Sequence, residues 1–335
     1  MSGQGIARQV GAAPKEQLED MLRSAVSANQ ERGNPMRAFV TGLNGYIGFN
    51  AALALRRAGH EVFGLLRKHE RAGYMLRHEI TPVIGDMTKP ATWAKVAEDC
   101  GLLVHTAFDG AGDKTGADRT VVDTFLSLAD KGARPKTLIY TSGVWVYGNT
   151  GGRLVDETTP LAPVPVVAWR PAHEQLVLGA AKVKGLVIRP GCVYGKQGGM
   201  TGMWFAGATG AMPFDVVGDG TNRWAMVHVW DLAEAYVKLA ESGLGGEAFN
   251  LTDRSRSMVG EMAWAAAKVA GYAGDIRFVP LAEAEKGYGP VAAALALDQH
   301  VDSSKAVRLL GWQPKFGGFL DGVATYLEAW KAAQS

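Results

Sequence analysis

Cysteine is nearly absent from the chain: Cys100 and Cys192 are the only two in 335 residues, far apart and in no CxxC or metal-ligand spacing. That spacing excludes a disulfide-stapled scaffold and a dithiol redox motif, and a reducing compartment is the simpler expectation. No apolar run approaches the roughly 20 residues that a membrane helix requires. The N-terminus lacks the charged, apolar and small-residue order of a signal peptide. A cytoplasmic protein with no membrane partner is therefore expected. Charge of one sign is missing too. Lys plus Arg number 35 against 33 for Asp plus Glu, a formal net charge of +2, with no long block of like charge. This balance weighs against a nucleic-acid partner. No residue cluster suggests a bound metal.

What is present is material for a core. Hydrophobic residues make up 47% and charged residues 20%, the profile of a globular protein. The length suits one large domain, or one domain with a smaller lobe. Residues 1–35 read as an appendage, tag-like or a short docking helix. KEQLEDMLRSAVSANQ places Leu18, Met21, Leu22 and Val26 on one side, and Gly33, Asn34 and Pro35 break the pattern.

MRAFVTGLNGYIGFNAALALRRAGHEVFGLLR then reads strand, glycine turn, helix, strand. Ala38, Phe39 and Val40 form a run too short for a helix, as in a strand buried on both faces. Gly42, Leu43, Asn44, Gly45, Tyr46, Ile47 and Gly48 make the turn. Glycine there reaches backbone angles that other residues avoid and lets the chain approach a pyrophosphate. The helix start offers free N–H groups to the phosphates. Set between strand and helix at the head of a βαβ unit, the turn points to a dinucleotide.

The second strand bears on which dinucleotide. A ribose diol is normally held by a carboxylate at this strand end, and a 2′-phosphate by an arginine. Here the strand ends in Leu65, Leu66, Arg67 and Lys68, with no carboxylate until Glu70. Two cations suit a phosphate, so NADP(H) is expected in preference to NAD(H). Asp86 and Met87 follow the next strand, where the carboxylate could accept from an adenine amine. Thr106, Ala107 and Phe108 follow another, as small residues and an aromatic beside the ribose and nicotinamide.

TLIYTSGVWVYG, RPGCVYG, AMVHVWDLAEAY and VDSSKAVRLLGWQPK continue the series. With TGLNGYIG in front, the chain resembles the extended short-chain dehydrogenase/reductase superfamily, the NAD(P)-dependent epimerase/dehydratase family, over about residues 36–330. The resemblance implies an α/β fold: a Rossmann-type doubly wound parallel sheet over 36–195 and a smaller α/β substrate lobe over 196–335, with chain crossings between them. It also implies that Thr141, Arg170, Pro190 and Val193 border the cofactor. A homodimer through the helices at 115–131 and 170–183 is expected on the same ground.

Departures from the family pattern carry as much information as the matches. The family uses a Ser or Thr after the fifth strand and a Tyr-x-x-x-Lys pair on the next helix, the tyrosine as acid/base. By the resemblance these positions hold Gly143, Val166 and Arg170. Val166 exchanges no proton, and a guanidinium stays charged at any working pH. Candidate replacements are Ser142 beside the lost hydroxyl, Tyr147 on the same loop, and His173 three residues after Arg170 on one helix face. Asp109, after the fourth strand, falls at the cofactor's reactive end and is a candidate substrate contact.

Nucleotide-sugar members of the family carry an Arg-x-Phe-Asn sequence where this chain has Arg189, Pro190, Gly191 and Cys192. They also carry an arginine where it has Trp224. Both changes count against a nucleotide-sugar substrate. Met200, Met203, Trp204, Phe205, Met212, Trp224 and Met226 crowd the expected wall of the substrate site, with Trp145 and Trp169 opposite. Such side chains suit an apolar or aromatic small molecule, and ordinary core packing accounts for roughly half of them. Two readings follow. One is an NADP(H)-dependent oxidoreductase or epimerase/dehydratase-like enzyme acting on an apolar carbonyl, alcohol or activated alkene. The other is a non-catalytic NADP(H)-sensing protein.

Overall fold

Strand β1 (Arg37–Thr41) carries RAFVT, and all but its first residue are buried, as a strand covered on both faces must be. In this computed structural model, which describes residues 35–108, 112–131 and 135–334, β1 lies inside a seven-stranded sheet. The appendage expected over 1–35 falls outside the described residues except for Pro35. The other strands are β2 (Glu61–Leu66), β3 (Thr81–Ile84), β4 (Leu102–His105), β5 (Lys136–Thr141), β6 (Val183–Pro190) and β7 (Glu247–Leu251). They run in the order β7-β6-β5-β4-β1-β2-β3, every neighbouring pair parallel. The order reverses between β1 and β4, and at such a switch point the loops at the strands' C-terminal ends part to form a crevice.

Helices cover both faces. On one, α1 (Tyr46–Arg57) packs against a helix at Val229–Glu241. Ala51, Ala52 and Leu55 share a core there with Leu232, Ala235, Tyr236 and Leu239. On the other, α2 (Lys114–Lys131) supplies Val121, Val122 and Phe125, and α3 (Arg170–Leu178) supplies Val177. The sheet and its two helical layers are thus the doubly wound α/β class.

Outside the large sheet the chain builds three short parallel pairs: Cys192–Tyr194 with Met226–His228, Asp215–Val217 with Arg277–Val279, and Leu154–Val155, which precedes β6, with His300–Val301. Helices at Gly202–Ala208, Val259–Val269 and Phe319–Ala332 close over an aromatic core that includes Tyr194, Trp204, Phe205, Trp224 and Phe319. Between these pieces the chain returns to the large sheet through the 229–241 helix and β7.

Candidate functional site

The crevice at the switch point is a cleft of about 800 Å³. Its floor is the glycine turn, and the glycines are there for space. Gly42 has φ +75°, and a Cβ on it would stand 2.8 Å from the backbone N and Cα of Ala107. On Gly48 a Cβ would come within 2.2 Å of the Gly42 carbonyl oxygen and 2.5 Å of Thr106 Oγ1. Thr106 in turn donates to the Thr41 carbonyl at 2.6 Å, which binds the β4 loop to the end of β1. Helix α1 begins at Tyr46 with no side-chain cap and no acidic residue in its first turn. Its N–H groups and the positive end of its dipole are therefore left for an anion. A cradle without side chains, closed by backbone and facing an uncapped helix, fits the pyrophosphate of a dinucleotide.

Of the turn residues, Gly42, Asn44, Gly45, Tyr46, Ile47 and Gly48 line the cleft. Leu43 does not; it is fully buried in the core under Gly64, so only its backbone belongs to the turn. Tyr46 is committed through its hydroxyl, which donates to the Gly195 carbonyl at 2.5 Å. Arg67 and Lys68 line the cleft at the end of β2, with Lys68 3.8 Å from Glu70. Arg71 lines it as well. It was not singled out in the sequence because it stands a turn beyond the strand end. Gly85 and Met87 are in the wall, but the Asp86 carboxylate is used locally. Its Oδ1 accepts from the Thr88 N–H at 2.9 Å and hydroxyl at 2.8 Å, bonds that hold its pKa below the ordinary carboxylate range. Thr106, Ala107 and Phe108 complete the lining. Asp109 lies outside the described residues.

Thr141, Arg170, Pro190 and Val193 do not line this cleft. Arg170 opens α3 and donates to the Thr141 carbonyl at 2.6 Å, while the Thr141 hydroxyl pairs with Tyr236 at 2.6 Å. The Arg170 guanidinium lies 4.7 Å from the Trp169 ring and 6.0 Å from the half-exposed Phe108 ring. Pro190 ends β6, and Val193 is buried in the core shared by α1 and the 229–241 helix.

The three proton-donor candidates are all buried, in different surroundings. Ser142 Oγ has no hydrogen-bond partner. The Tyr147 hydroxyl accepts from Arg189 Nη1 at 2.7 Å and donates to Asn250 Oδ1 at 2.9 Å. Arg189 in turn is clamped by Glu174, with Nε 3.1 Å from Oε2. Burial pushes the Tyr147 pKa up against the opposing pull of Arg189. His173 Nδ1 lies 2.7 Å from Asp118 Oδ2, and its ring stands 5.0 Å from Trp169. Asp118, which no sequence motif marked, also receives the Tyr140 hydroxyl at 3.0 Å and stands 3.2 Å from His105 Nε2. His105 Nδ1 then meets Thr41 Oγ1 at 2.7 Å. Burial alone would raise the Asp118 pKa, but His105, His173 and Arg170 together hold it well below the usual carboxylate range. The network therefore joins the end of β1 to α3, behind the cofactor crevice.

The proposed substrate wall divides. Trp204 and Trp224 stack at 5.2 Å with planes 16° apart, both buried, and Trp224 Nε1 donates to the Leu295 carbonyl at 3.0 Å. These two side chains are core, because each ring face is covered by the other. Trp145, Trp169 and Met203 are half-buried and keep surface to offer. Among the described residues no helix is long and apolar enough to cross a membrane, and no group of His, Cys, Asp or Glu could hold a metal ion.

A parallel sheet with a glycine cradle at its switch point defines a dinucleotide-binding α/β protein. The family model for the NAD dependent epimerase/dehydratase family matches residues 38–252, and the chain belongs to that family. It is similar to a 4-hydroxy-2-methyl-3-oxo-4-farnesyl-3,4-dihydroquinoline-1-oxide ketoreductase of Stigmatella aurantiaca, 30% identical over 65% of this chain and 68% of the relative. It is also similar to a 3-diazoavenalumate denitrifying reductase of a Streptomyces species, 27% identical over 86% of this chain and 99% of that one. Among solved structures, dTDP-glucose 4,6-dehydratase from Bacillus anthracis in complex with NAD shares the fold. Its TM-score is 0.74 at 20% identity, covering 89% of this chain and 97% of the other.

Proposed function

We propose that this protein is an NADP(H)-dependent reductase acting on a carbonyl or conjugated double bond of an apolar, aromatic small molecule. The observation that carries the cofactor preference is the rim of the cleft beyond β2, where Arg67, Lys68 and Arg71 stand together. Glu70, the one carboxylate there, is drawn toward Lys68. Guanidinium groups match a 2′-phosphate in charge and in fork geometry. When bound, the nicotinamide would supply the hydride.

The protein's share is binding and orientation. The glycine cradle and the start of α1 receive the pyrophosphate. Arg170, fixed on the Thr141 carbonyl outside the cleft lining, would take the part of the family's lysine toward the ribose. Trp169, Trp145 and Phe108 offer apolar surface, and the farnesyl and dihydroquinoline groups in one relative's name support a substrate of that kind. Ser142, Tyr147 and His173 are all buried, so the balancing proton comes from water at the substrate, which a positioned cofactor and an activated double bond tolerate. The same burial is what favours the second reading, an NADP(H) sensor without turnover.

Titration of the purified chain with NADPH, NADP, NADH and NAD, followed by reduced-cofactor fluorescence and calorimetry, tests the reading. NADPH is expected to bind at least tenfold more tightly than NADH, the worth of one charge-assisted contact of about 1.5–3 kcal/mol. Arg67→Asp is expected to erase the difference. An unchanged ratio in that variant overturns the 2′-phosphate assignment. NADPH oxidation with aromatic enones and ketones then separates enzyme from sensor.

A further inference from the structure

The C-terminal lobe holds a second cleft, of about 630 Å³, that shares no lining residue with the dinucleotide cleft. Its walls come from the segment after β7, from the residues just ahead of the 226–228 strand, and from the stretch that opens at Gln299. Arg223, Arg254, Arg256 and Arg308 all line it. None of these four guanidinium groups has an ion pair or hydrogen bond among the described residues. Arg223 is half-buried and the other three are exposed. His300, on the same wall, has a buried Nε2 with no partner.

Several acceptors in the cleft are engaged already, although the buried Oδ2 of Asp253 has no hydrogen-bond partner among the described residues. Asp253 Oδ1 receives the Ser255 N–H at 2.9 Å and hydroxyl at 2.6 Å. Asp302 Oδ1 receives the Ser304 N–H at 3.2 Å and hydroxyl at 2.7 Å. The Thr252 and Ser303 hydroxyls pair with each other at 2.7 Å. What the walls leave unengaged is dominated by donors and positive charge. Some cations elsewhere are met by carboxylates, as in Arg37 with Glu61, Arg277 with Asp215 and Lys305 with Glu247, whereas here four unpaired ones line a single cleft. Four unpaired arginines around one cleft repel one another, and a bound anion relieves that repulsion. The volume falls within the range of small-molecule sites.

We propose that this cleft binds a small phosphorylated anion, at a site separate from the dinucleotide cleft. The forked donors of Arg254, Arg256 and Arg308 would close on the phosphate from the rim, and Arg223 would meet it from the wall. The phosphate could belong to a metabolite ester or be inorganic, and the chemistry of recognition is shared. The proposal does not depend on the reductase reading.

The test is calorimetric titration of the full chain with inorganic pyrophosphate and, separately, with glycerol 3-phosphate, against potassium chloride at matched ionic strength. Saturable one-site binding is expected from at least one probe and not from the chloride. Tighter binding of the ester points to a metabolite, and tighter binding of pyrophosphate to the inorganic source. The Arg254→Gln/Arg308→Gln double variant should weaken that binding about tenfold or more, with the NADPH titration unchanged. Both side chains are exposed, so the ligand-free melting temperature should hold or rise; Arg256→Gln serves as a second, independent variant. Four results overturn the proposal: no saturable binding at millimolar probe, affinity untouched in both variants, displacement of the probe by NADPH, or capture of a short single-stranded RNA with no pyrophosphate binding.

Discussion

The glycine turn and the aromatic cluster of the C-terminal lobe solve opposite problems with opposite materials. At the turn, space is kept open by leaving out side chains: a single methyl on Gly48 would stand 2.2 Å from a carbonyl oxygen, and backbone atoms have nowhere to go. In the lobe, space is closed by the largest side chains available, with Trp204 stacked on Trp224 and Phe319 edge-on to Trp204 at 5.6 Å. The first region owes its shape to backbone and can bind; the second owes it to packing and can support. Function in this chain therefore rests on what the lobe holds up, rather than on the cluster itself.

The largest effect should come from the lobe. Trp204 is 1% exposed, and Trp204→Ala should cost about 3–5 kcal/mol of stability through the cavity it leaves. NADPH affinity of the remaining folded protein should stay within about twofold, since additivity holds for sites with no shared partners. Chemical denaturation paired with cofactor titration reads both quantities. A large loss of NADPH affinity in this variant would break the contrast between the two regions.

Gly48→Ala is the converse. Overpacking against backbone should cost about 1–3 kcal/mol, less than the tryptophan. Yet NADPH binding should drop below detection, because α1 must move off the cradle to admit the methyl. An alanine variant that keeps near-normal NADPH affinity would mean that the turn is scaffold only.

How legible these regions were in the sequence follows from the same physics. The turn announces itself because a backbone requirement writes glycine at fixed spacing, and Gly42, Gly45 and Gly48 all line the cleft as that spacing implies. The parallel, doubly wound class is likewise legible in short apolar runs alternating with helices and in the family resemblance, whereas the order of the seven strands is set by their pairing in three dimensions. Packing leaves no such mark. Trp204 and Trp224 read as pocket wall because apolar composition is shared by walls and cores, and only the ring-on-ring stack separates the two. Leu43 and Asp86 read as ligand contacts by position, but one turns into the core and the other bonds its own loop. The Asp118 network was invisible for another reason: Asp118 and His173 stand 55 positions apart, and the packing of α2 against α3 alone brings them together. The four arginines of the second cleft are scattered in the same way.

Two buried carboxylates carry the contrast to its smallest scale. Asp118, in the cofactor half, is held low by His105, His173 and Arg170, so its stabilisation is present above the unfolded carboxylate pKa and fades only in acid. Asp253, in the lobe, is raised instead, to about 6, because burial disfavours its charge and Ser255 and Tyr194 offset this only in part. A raised folded pKa means that the contribution is full below about 4, where both folded and unfolded states are protonated, and is lost as pH rises through about 6. Asp253→Asn keeps the carbonyl acceptor for Ser255 and removes the titration. The variant should therefore be more stable than the wild type at neutral pH, by a margin on the order of 3 kcal/mol, and converge with it toward pH 4. Melting curves across that window decide the matter. A variant less stable than wild type at neutral pH would show that the ionised carboxylate is satisfied in the lobe, and the two regions would then treat buried charge alike.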